Sequence, residues 1–145
     1  MPDEAPFRNF NFTVEIEGVA TVQFAEVDVP DASIEVVEYR EGGAPVTSPI
    51  KLPGRVGYSN LVLRRGVGTD LTLYEWFDAV RNGNLFRRNV VITLLDAERT
   101  PVRAWKLYRA WPVKYTGPKL CGKGNEVVIE ELVITHEGLE VETVG

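Results

Sequence analysis

Residues 102–115, VRAWKLYRAWPVKY, alternate Arg103, Trp105, Leu107, Arg109, Trp111 and Val113 with Val102, Ala104, Lys106, Tyr108 and Ala110. A side-chain period of two is that of a β-strand. Apolar bulk falls on both faces, which predicts a strand half covered on each side, as in a sandwich or a strand-rich assembly whose outer face meets a neighbour. The flanking sequence continues in kind. A turn at Ala97–Pro101 separates this strand from a predicted strand at Asn89–Asp96, and a turn at Gly117–Asn125 leads to a third long strand, Glu126–Glu137.

The start of the chain carries a cleaner version of the same signal. Phe10, Phe12, Val14 and Ile16 alternate with Asn11, Thr13, Glu15 and Glu17, the pattern of a half-buried strand. A turn at Glu17-Gly18-Val19 leads into Ala20–Asp28. A three-residue loop there pairs Ile16 with Ala20, Val14 with Val22 and Phe12 with Phe24, and sets Glu15 opposite Thr21 and Thr13 opposite Gln23. The expected hairpin has one dry face and one wet face.

Between these regions lie a short strand, Leu61–Arg65, and the one clear helix, about 70–82. Thr69 or Asp70 is placed to cap it, Leu73, Trp76, Phe77 and Val80 fall at i, i+3, i+4 and i+7, and Asn82-Gly83 stops it. That aromatic stripe reads as core. Residues of about 29–60 differ from the rest, being punctuated by Pro30, Gly42-Gly43, Pro45, Pro49 and Pro53-Gly54, with a short strand near Ile34–Tyr39. A connection of this length carries function or reaches a partner, the alternative being a floppy insertion.

A chain of 145 residues that is 44% hydrophobic builds one core, so residues 1–145 are expected to form a single domain. The net charge of −5 argues against a nucleic-acid binder, and Arg64-Arg65 and Arg87-Arg88 make no basic groove. The opening MPDEAPFRNF lacks the charged start and apolar run of a secretory signal, and no stretch approaches the roughly 18 apolar residues of a membrane helix. Cytoplasmic synthesis, with no membrane partner, is the expectation, and the lone Cys121 accords with a reducing compartment.

Catalytic chemistry finds no footing. His136 is the only histidine and lies at the polar end of a predicted strand. One His and one Cys do not make a zinc spacing. Glu130 and Glu131, adjacent on a strand, point to opposite faces and cannot converge as an acid/base pair. The stretch Gly117–Gly124 lacks the order of a phosphate-binding loop, and nothing near Cys121 supplies a base. No catalytic, cofactor-binding or metal residue is assigned.

Read in order, Glu38-Tyr39-Arg40-Glu41-Gly42-Gly43, Leu52-Pro53-Gly54-Arg55, Leu63-Arg64-Arg65-Gly66-Val67, Leu73-Tyr74-Glu75-Trp76-Phe77, Ala110-Trp111-Pro112-Val113-Lys114, Tyr115-Thr116-Gly117-Pro118, Asn125-Glu126-Val127 and Thr135-His136-Glu137-Gly138-Leu139 resemble the tail-tube proteins of contractile phages and the inner-tube proteins of contractile injection systems. The resemblance covers about residues 10–139 and extends to the haemolysin-coregulated protein of type VI secretion. It implies a mainly β fold, a β-sandwich or split barrel with one flanking α-helix and a long extended arm, whose sheets join into a β-barrel in a hexameric ring.

By the same resemblance, rings stack into an inner tube inside a contractile sheath, with baseplate and tube-terminating proteins as further partners and cargo or a tape-measure protein in the lumen. The particle is a phage tail or an injection system assembled in the bacterial cytoplasm. Tyr39, Arg40, Glu41, Gly42, Gly43, Leu52, Pro53, Gly54 and Arg55 are then the arm that reaches neighbouring subunits. Asn11, Thr13, Glu15, Thr21 and Gln23, the wet face of the first hairpin, are the candidate lumen wall. The rival expectation is a monomeric β-sandwich holding a small molecule or glycan against Trp105, Tyr108 and Trp111.

Overall fold

The computed structural model describes residues 11–19, 23–40, 42 and 49–144. Nine strands and one helix follow in the order β1 (Phe12–Ile16), β2 (Glu26–Asp28), β3 (Ala32–Tyr39), β4 (Ile50–Tyr58), β5 (Leu61–Gly66), α1 (Thr72–Arg81), β6 (Arg88–Leu95), β7 (Pro101–Thr116), β8 (Ile129–Thr135) and β9 (Gly138–Thr143). All pairings are antiparallel. Seven strands form one sheet in the order β1-β6-β7-β8-β5-β2, with β9 also paired to β7, and β3 and β4 form a separate hairpin. The fold is therefore mainly β with one helix, as the sequence predicts.

The sheet bends back on itself at one corner. The first part of β7, Arg103–Tyr108, pairs with β9, and the last part, Trp111–Thr116, pairs with β8. Between them Arg109 has φ 53°, a left-handed conformation that a non-glycine residue adopts at a cost of about 1–2 kcal/mol. The break between β8 and β9, at His136-Glu137, lies beside it, with the Glu137 amide donating to the Tyr108 carbonyl at 2.9 Å and Arg109 Nε to Glu137 Oε1 at 3.0 Å. Both strands thus turn the same corner together.

This corner explains the apolar bulk on both faces of residues 102–115. Leu107 and Ala110, three apart, are both fully buried, and Pro112 is buried with Ala110. The inward set changes from odd to even positions at Arg109, so most of that bulk serves a single interior. Val14, Ile16, Val90, Ile92 and Leu107 from one wing form a continuous core with Leu61, Leu63, Leu132 and Ile134 from the other, and Leu73 and Trp76 of α1 join it.

The helix obeys local chemistry at both ends. Asp70 Oδ1 accepts from the Thr72 amide at 2.9 Å and from the Thr72 hydroxyl, and these bonds hold its carboxyl below the usual aspartate range. At the other end Gly83 takes φ 93°, its amide donates to Val80 O at 3.1 Å, and the Asn84 amide donates to Ala79 O at 2.8 Å. That pair of bonds is the Schellman closure that a glycine one residue past the helix permits. Trp76 is buried and its indole Nε1 donates to the Phe86 carbonyl at 3.2 Å, while the half-buried Phe77 leans on Tyr115.

Three expectations are corrected. Of the hairpin expected over residues 10–28, the pairs Phe12–Phe24 and Thr13–Gln23 do not form, because residues 23 and 24 lie outside any strand. β1 pairs with β6, Val14 opposite Ile92 and Ile16 opposite Val90, and β2 pairs with β5 at the far end of the sheet. Ala20, Thr21 and Val22, half of the expected register, lie outside the described residues, and Phe24, outside any strand, packs against the core. The turn itself is present, with Val19 N donating to Ile16 O at 2.9 Å and Gly18 at φ 76°. The strand expected over 126–137 is shorter, Ile129–Thr135, and a further strand that was not expected, β9, follows the corner. The arm holds two strands where one was expected.

Trp76→Ala removes a buried ring and one hydrogen bond, and is expected to lower the unfolding free energy by about 3–5 kcal/mol in chemical denaturation. An unchanged midpoint would show that α1 docks by other contacts.

Candidate assembly surfaces

The arm is built from the sequence's mixed signals. Ile34, Val36, Val37 and Tyr39 favour a strand, and β3 pairs with β4 with Val37 opposite Leu52 and Tyr39 opposite Ile50. Leu52-Pro53-Gly54-Arg55 lies inside β4, and its Pro-Gly step falls at a β-bulge between the Ile34 and Val36 pairings. A Cβ on Gly54 would lie 2.8 Å from Val37 Cγ2 and 3.2 Å from the Glu35 carbonyl oxygen, so the bulge requires glycine.

Every residue of the two arm strands except Gly57 is exposed. The register sorts its apolar side chains onto both faces. Val37, Tyr39, Ile50 and Leu52 share one face, and Ile34, Val36, Val56 and Tyr58 share the other. Arg40 and Gly42 are exposed beyond the end of β3, and Glu41 and Gly43 lie outside the described residues. A two-stranded ribbon alone is marginal in water at best, and this one leaves apolar residues exposed on both faces.

The second surface is the outer face of the wing β1-β6-β7-β9. Thr13 lies opposite Thr93 and Glu15 opposite Val91, and Val91 is in turn opposite Lys106. Lys106 faces Glu140 across the β7-β9 pair, and Tyr108 lies next along the same row. Lys106 Nζ is 3.0 Å from Glu142 Oε1, which raises the ammonium above the usual lysine range. The Tyr108 hydroxyl donates to Glu140, and that bond raises the phenol likewise.

Of the candidate lumen residues, Thr13 and Glu15 are on this face. Asn11 is partly buried and donates from Nδ2 to the Asp96 carbonyl at 3.1 Å, Gln23 is exposed outside any strand, and Thr21 lies outside the described residues. Lys106, Tyr108, Glu140 and Glu142 belong to the same face and were missed. The alternation of Leu139 and Val141 with Glu140 and Glu142 is the signal that marks β9.

The residues considered for chemistry are dispersed. Glu130 and Glu131 point to opposite faces. Glu131 accepts from Arg64 Nε at 2.8 Å on the outer surface, where Arg64 also bridges Asp28 at 3.0 Å and Glu26 at 3.4 Å. Glu130 is buried. Its two oxygens accept from Arg65 Nε at 2.9 Å and from the Tyr115 hydroxyl at 2.7 Å, and that second bond, with partial desolvation, raises the Tyr115 phenol. Arg65 is thus not a surface residue. It is 6% exposed and its remaining nitrogens donate to the Asp70 carboxylate at 3.2 Å and the Asp70 carbonyl at 2.7 Å, tying the start of α1 to the sheet.

The His136 ring lies against backbone carbonyls, and Cys121 is an exposed free thiol. Among the described residues no group of three His, Cys, Asp or Glu side chains is placed to hold a metal, and no helix is long and apolar enough to cross a membrane. The aromatic cluster of the rival expectation does not assemble. Trp105 and Trp111 pack against the core, while Tyr108 stands on the opposite face of β7 from Trp105.

A folded-over antiparallel sheet with an unpartnered two-faced ribbon defines a self-assembling β subunit. The sequence profile of the T4-like virus tail tube protein gp19 family matches residues 8–140, and the chain belongs to that family. It is a structural tube subunit.

Solved structures agree with this. A chain of the anti-feeding prophage baseplate, 6-fold symmetrised, is 27% identical and superposes with a TM-score of 0.82 over 98% of this chain and 97% of that one. A chain of the sheath-tube complex of the extracellular contractile injection system PVC in its extended state is 24% identical, with a TM-score of 0.87 over 97% and 94%. Hcp1 from Flavobacterium johnsoniae, 14% identical, shares the fold at a TM-score of 0.62 over 91% and 94%. No curated protein sequence matches the chain.

Glu130→Leu removes the buried carboxylate from Arg65 Nε and from the Tyr115 hydroxyl, leaving Arg65 only the more exposed Asp70, and is expected to cost about 3–5 kcal/mol. Arg64→Ala removes only ion pairs that solvent screens, and a much smaller loss is expected. Equal losses in urea titrations of the two variants would refute the distinction between the buried and the outer pair.

Proposed function

We propose that six copies of this chain close into a ring through their sheet edges, that rings stack into a tube, and that the β3-β4 arm makes the contacts between subunits. The observation that carries this reading is the arm's exposure on both faces. Val37, Tyr39, Ile50 and Leu52 can cover one neighbour while Ile34, Val36, Val56 and Tyr58 cover another, so a single hairpin bridges two surfaces. The 6-fold symmetrised baseplate relative supports the ring number.

The outer face of β1-β6-β7-β9 is the proposed lumen wall. Glu15, Glu140 and Glu142 outnumber the one ammonium, Lys106, and the wall carries few apolar side chains. A weakly acidic, wet wall lets cargo or a tape-measure protein slide without sticking. A contractile sheath, a baseplate and a tube terminator are the proposed partners, by likeness to relatives solved in such complexes. Assembly in the cytoplasm as part of a phage tail or injection particle follows from the same reading. The subunit performs no catalysis in it. Its work is shape.

Replacing Ile50 and Leu52 together by Asp puts charge on one arm face without touching the core. The double variant is expected to keep the wild-type thermal midpoint within a few degrees and to lose stacked tubes in negative-stain electron microscopy. Tubes of normal length from this variant would sink the arm's assignment.

A further inference from the structure

The arm joins the body at two places, Asp31 and Ser59, which are also bound to each other. The Ser59 amide donates to the Asp31 carbonyl at 3.0 Å, and the Asp31 amide donates to Ser59 Oγ at 2.7 Å. Against this knot lies His136, in the break between β8 and β9 at the corner of the sheet. Its Nε2 is 2.9 Å from the Ser59 carbonyl oxygen, its Nδ1 is 3.1 Å from the Gly138 carbonyl oxygen, and its ring lies 5.5 Å from that of Tyr58, the last residue of β4.

A carbonyl oxygen only accepts. A neutral imidazole carries one N–H and one bare lone pair, so it can satisfy one of these two carbonyls and must turn a lone pair toward the other. Only the imidazolium donates to both. We propose that His136 is a proton-operated clasp: protonated, it fastens the base of the arm to the corner of the body, and on losing its proton it lets one of the two carbonyls go.

The charged and titratable groups around the ring do not replace this logic. Tyr58 presents its ring from the arm, and Asp31 meets Ser59 through its backbone amide and carbonyl. Tyr108 of β7 is bonded to Glu140, and Glu137, next in the chain, is held by Arg109 at 3.0 Å and Arg87 at 3.4 Å. Among the described residues no carboxylate forms an ion pair with the His136 ring. The two backbone carbonyls are the partners that distinguish the protonated from the neutral ring.

The direction with pH follows directly. The clasp is complete while the ring carries both protons and loosens when rising pH removes one. A looser base widens the angles the arm samples, so ordered stacking is favoured at the lower pH. That consequence rests on the arm's proposed role in stacking, and the clasp itself does not.

The full-length chain without a histidine tag is the right sample, because His136 is then its only imidazole. Ring ¹⁵N spectra at pH 5.5 should show two protonated nitrogens, both in hydrogen bonds. Hydrogen exchange of segments 31–39 and 50–59, corrected for intrinsic rates, should be about tenfold slower at pH 5.5 than at pH 8, the size expected for losing a charge-assisted bond. His136→Gln, which has no proton to lose, should abolish that difference. Equal corrected protection at the two pH values in the wild type overturns the clasp, as does a pH dependence that persists in the Gln variant. Should that variant fail to fold, the wild-type ring spectra decide: a ring that titrates with no accompanying change in the Ser59 and Gly138 carbonyl ¹³C shifts overturns it. Pelleting of tubes at the two pH values tests the other reading separately, since a clasp that titrates beside unchanged pelleting removes the arm from stacking and leaves the clasp in place.

Discussion

One strand belongs to both wings of this molecule, and the fold depends on how it turns. Were β7 regular throughout its 16 residues, Leu107 and Ala110 would lie on opposite faces and no single interior could bury both. The left-handed backbone at Arg109 exchanges the faces in one step. Its cost, on the order of 1–2 kcal/mol, is offset because it allows the rows of Leu107 and Ala110 to join one core. The Asn89 side chain accepts from the Arg109 amide at 3.2 Å, and Arg109 itself reaches Glu137 across the corner, so the groups exposed by the kink find partners.

Polar groups then fix what the apolar core leaves free. A hydrophobic interior tolerates small slides of α1 over the sheet, whereas the Arg65 fork accepts few arrangements of Glu130, Tyr115 and Asp70. Arg64 and Glu131, one residue along each strand, repeat the pairing on the outer surface, where water weakens it. The pattern of paired arginines opposite paired glutamates is therefore two interactions of unequal strength, one specifying the body and one decorating it. A body so fixed can present an arm whose own strands contribute nothing to the core.

Much of this is legible in the sequence wherever local chemistry decides. The alternation at Phe12–Ile16, the stripe Leu73, Trp76, Phe77 and Val80, and the stop at Asn82-Gly83 each depend on residues within a turn or two. The failures are non-local. The pairing of Ile16 with Val90 joins residues far apart in the chain, and nothing in the local alternation at 12–16 names that partner. The exchange of faces at Arg109 is invisible to a period-two reading, which assigns apolar bulk on odd and even positions to two covered faces. Pro53-Gly54 reads as a turn because both residues usually make one, yet at a bulge they sit within a strand. For the outer face, the wet residues of β1 were readable, but Lys106 and Tyr108 reach it through the pairing of β6 with β1, and Glu140 and Glu142 through a strand that follows the corner.

The same corner decides which edges are open. β2 ends the sheet with only three residues, which offers little edge for another strand to add to. β9 is different. It continues the line of β8 beyond the bend, pairs with β7 on one side, and has no strand on its other side among the described residues. Its carboxylates do not guard that edge, because Glu140 and Glu142 lie on the outer face and are engaged by Tyr108 and Lys106. An unguarded six-residue edge is an aggregation hazard in a monomer, because its free backbone groups can template another strand. The kink at Arg109 thus does two things with one residue: it closes the interior, and by turning β8 away it leaves β9 with a free side.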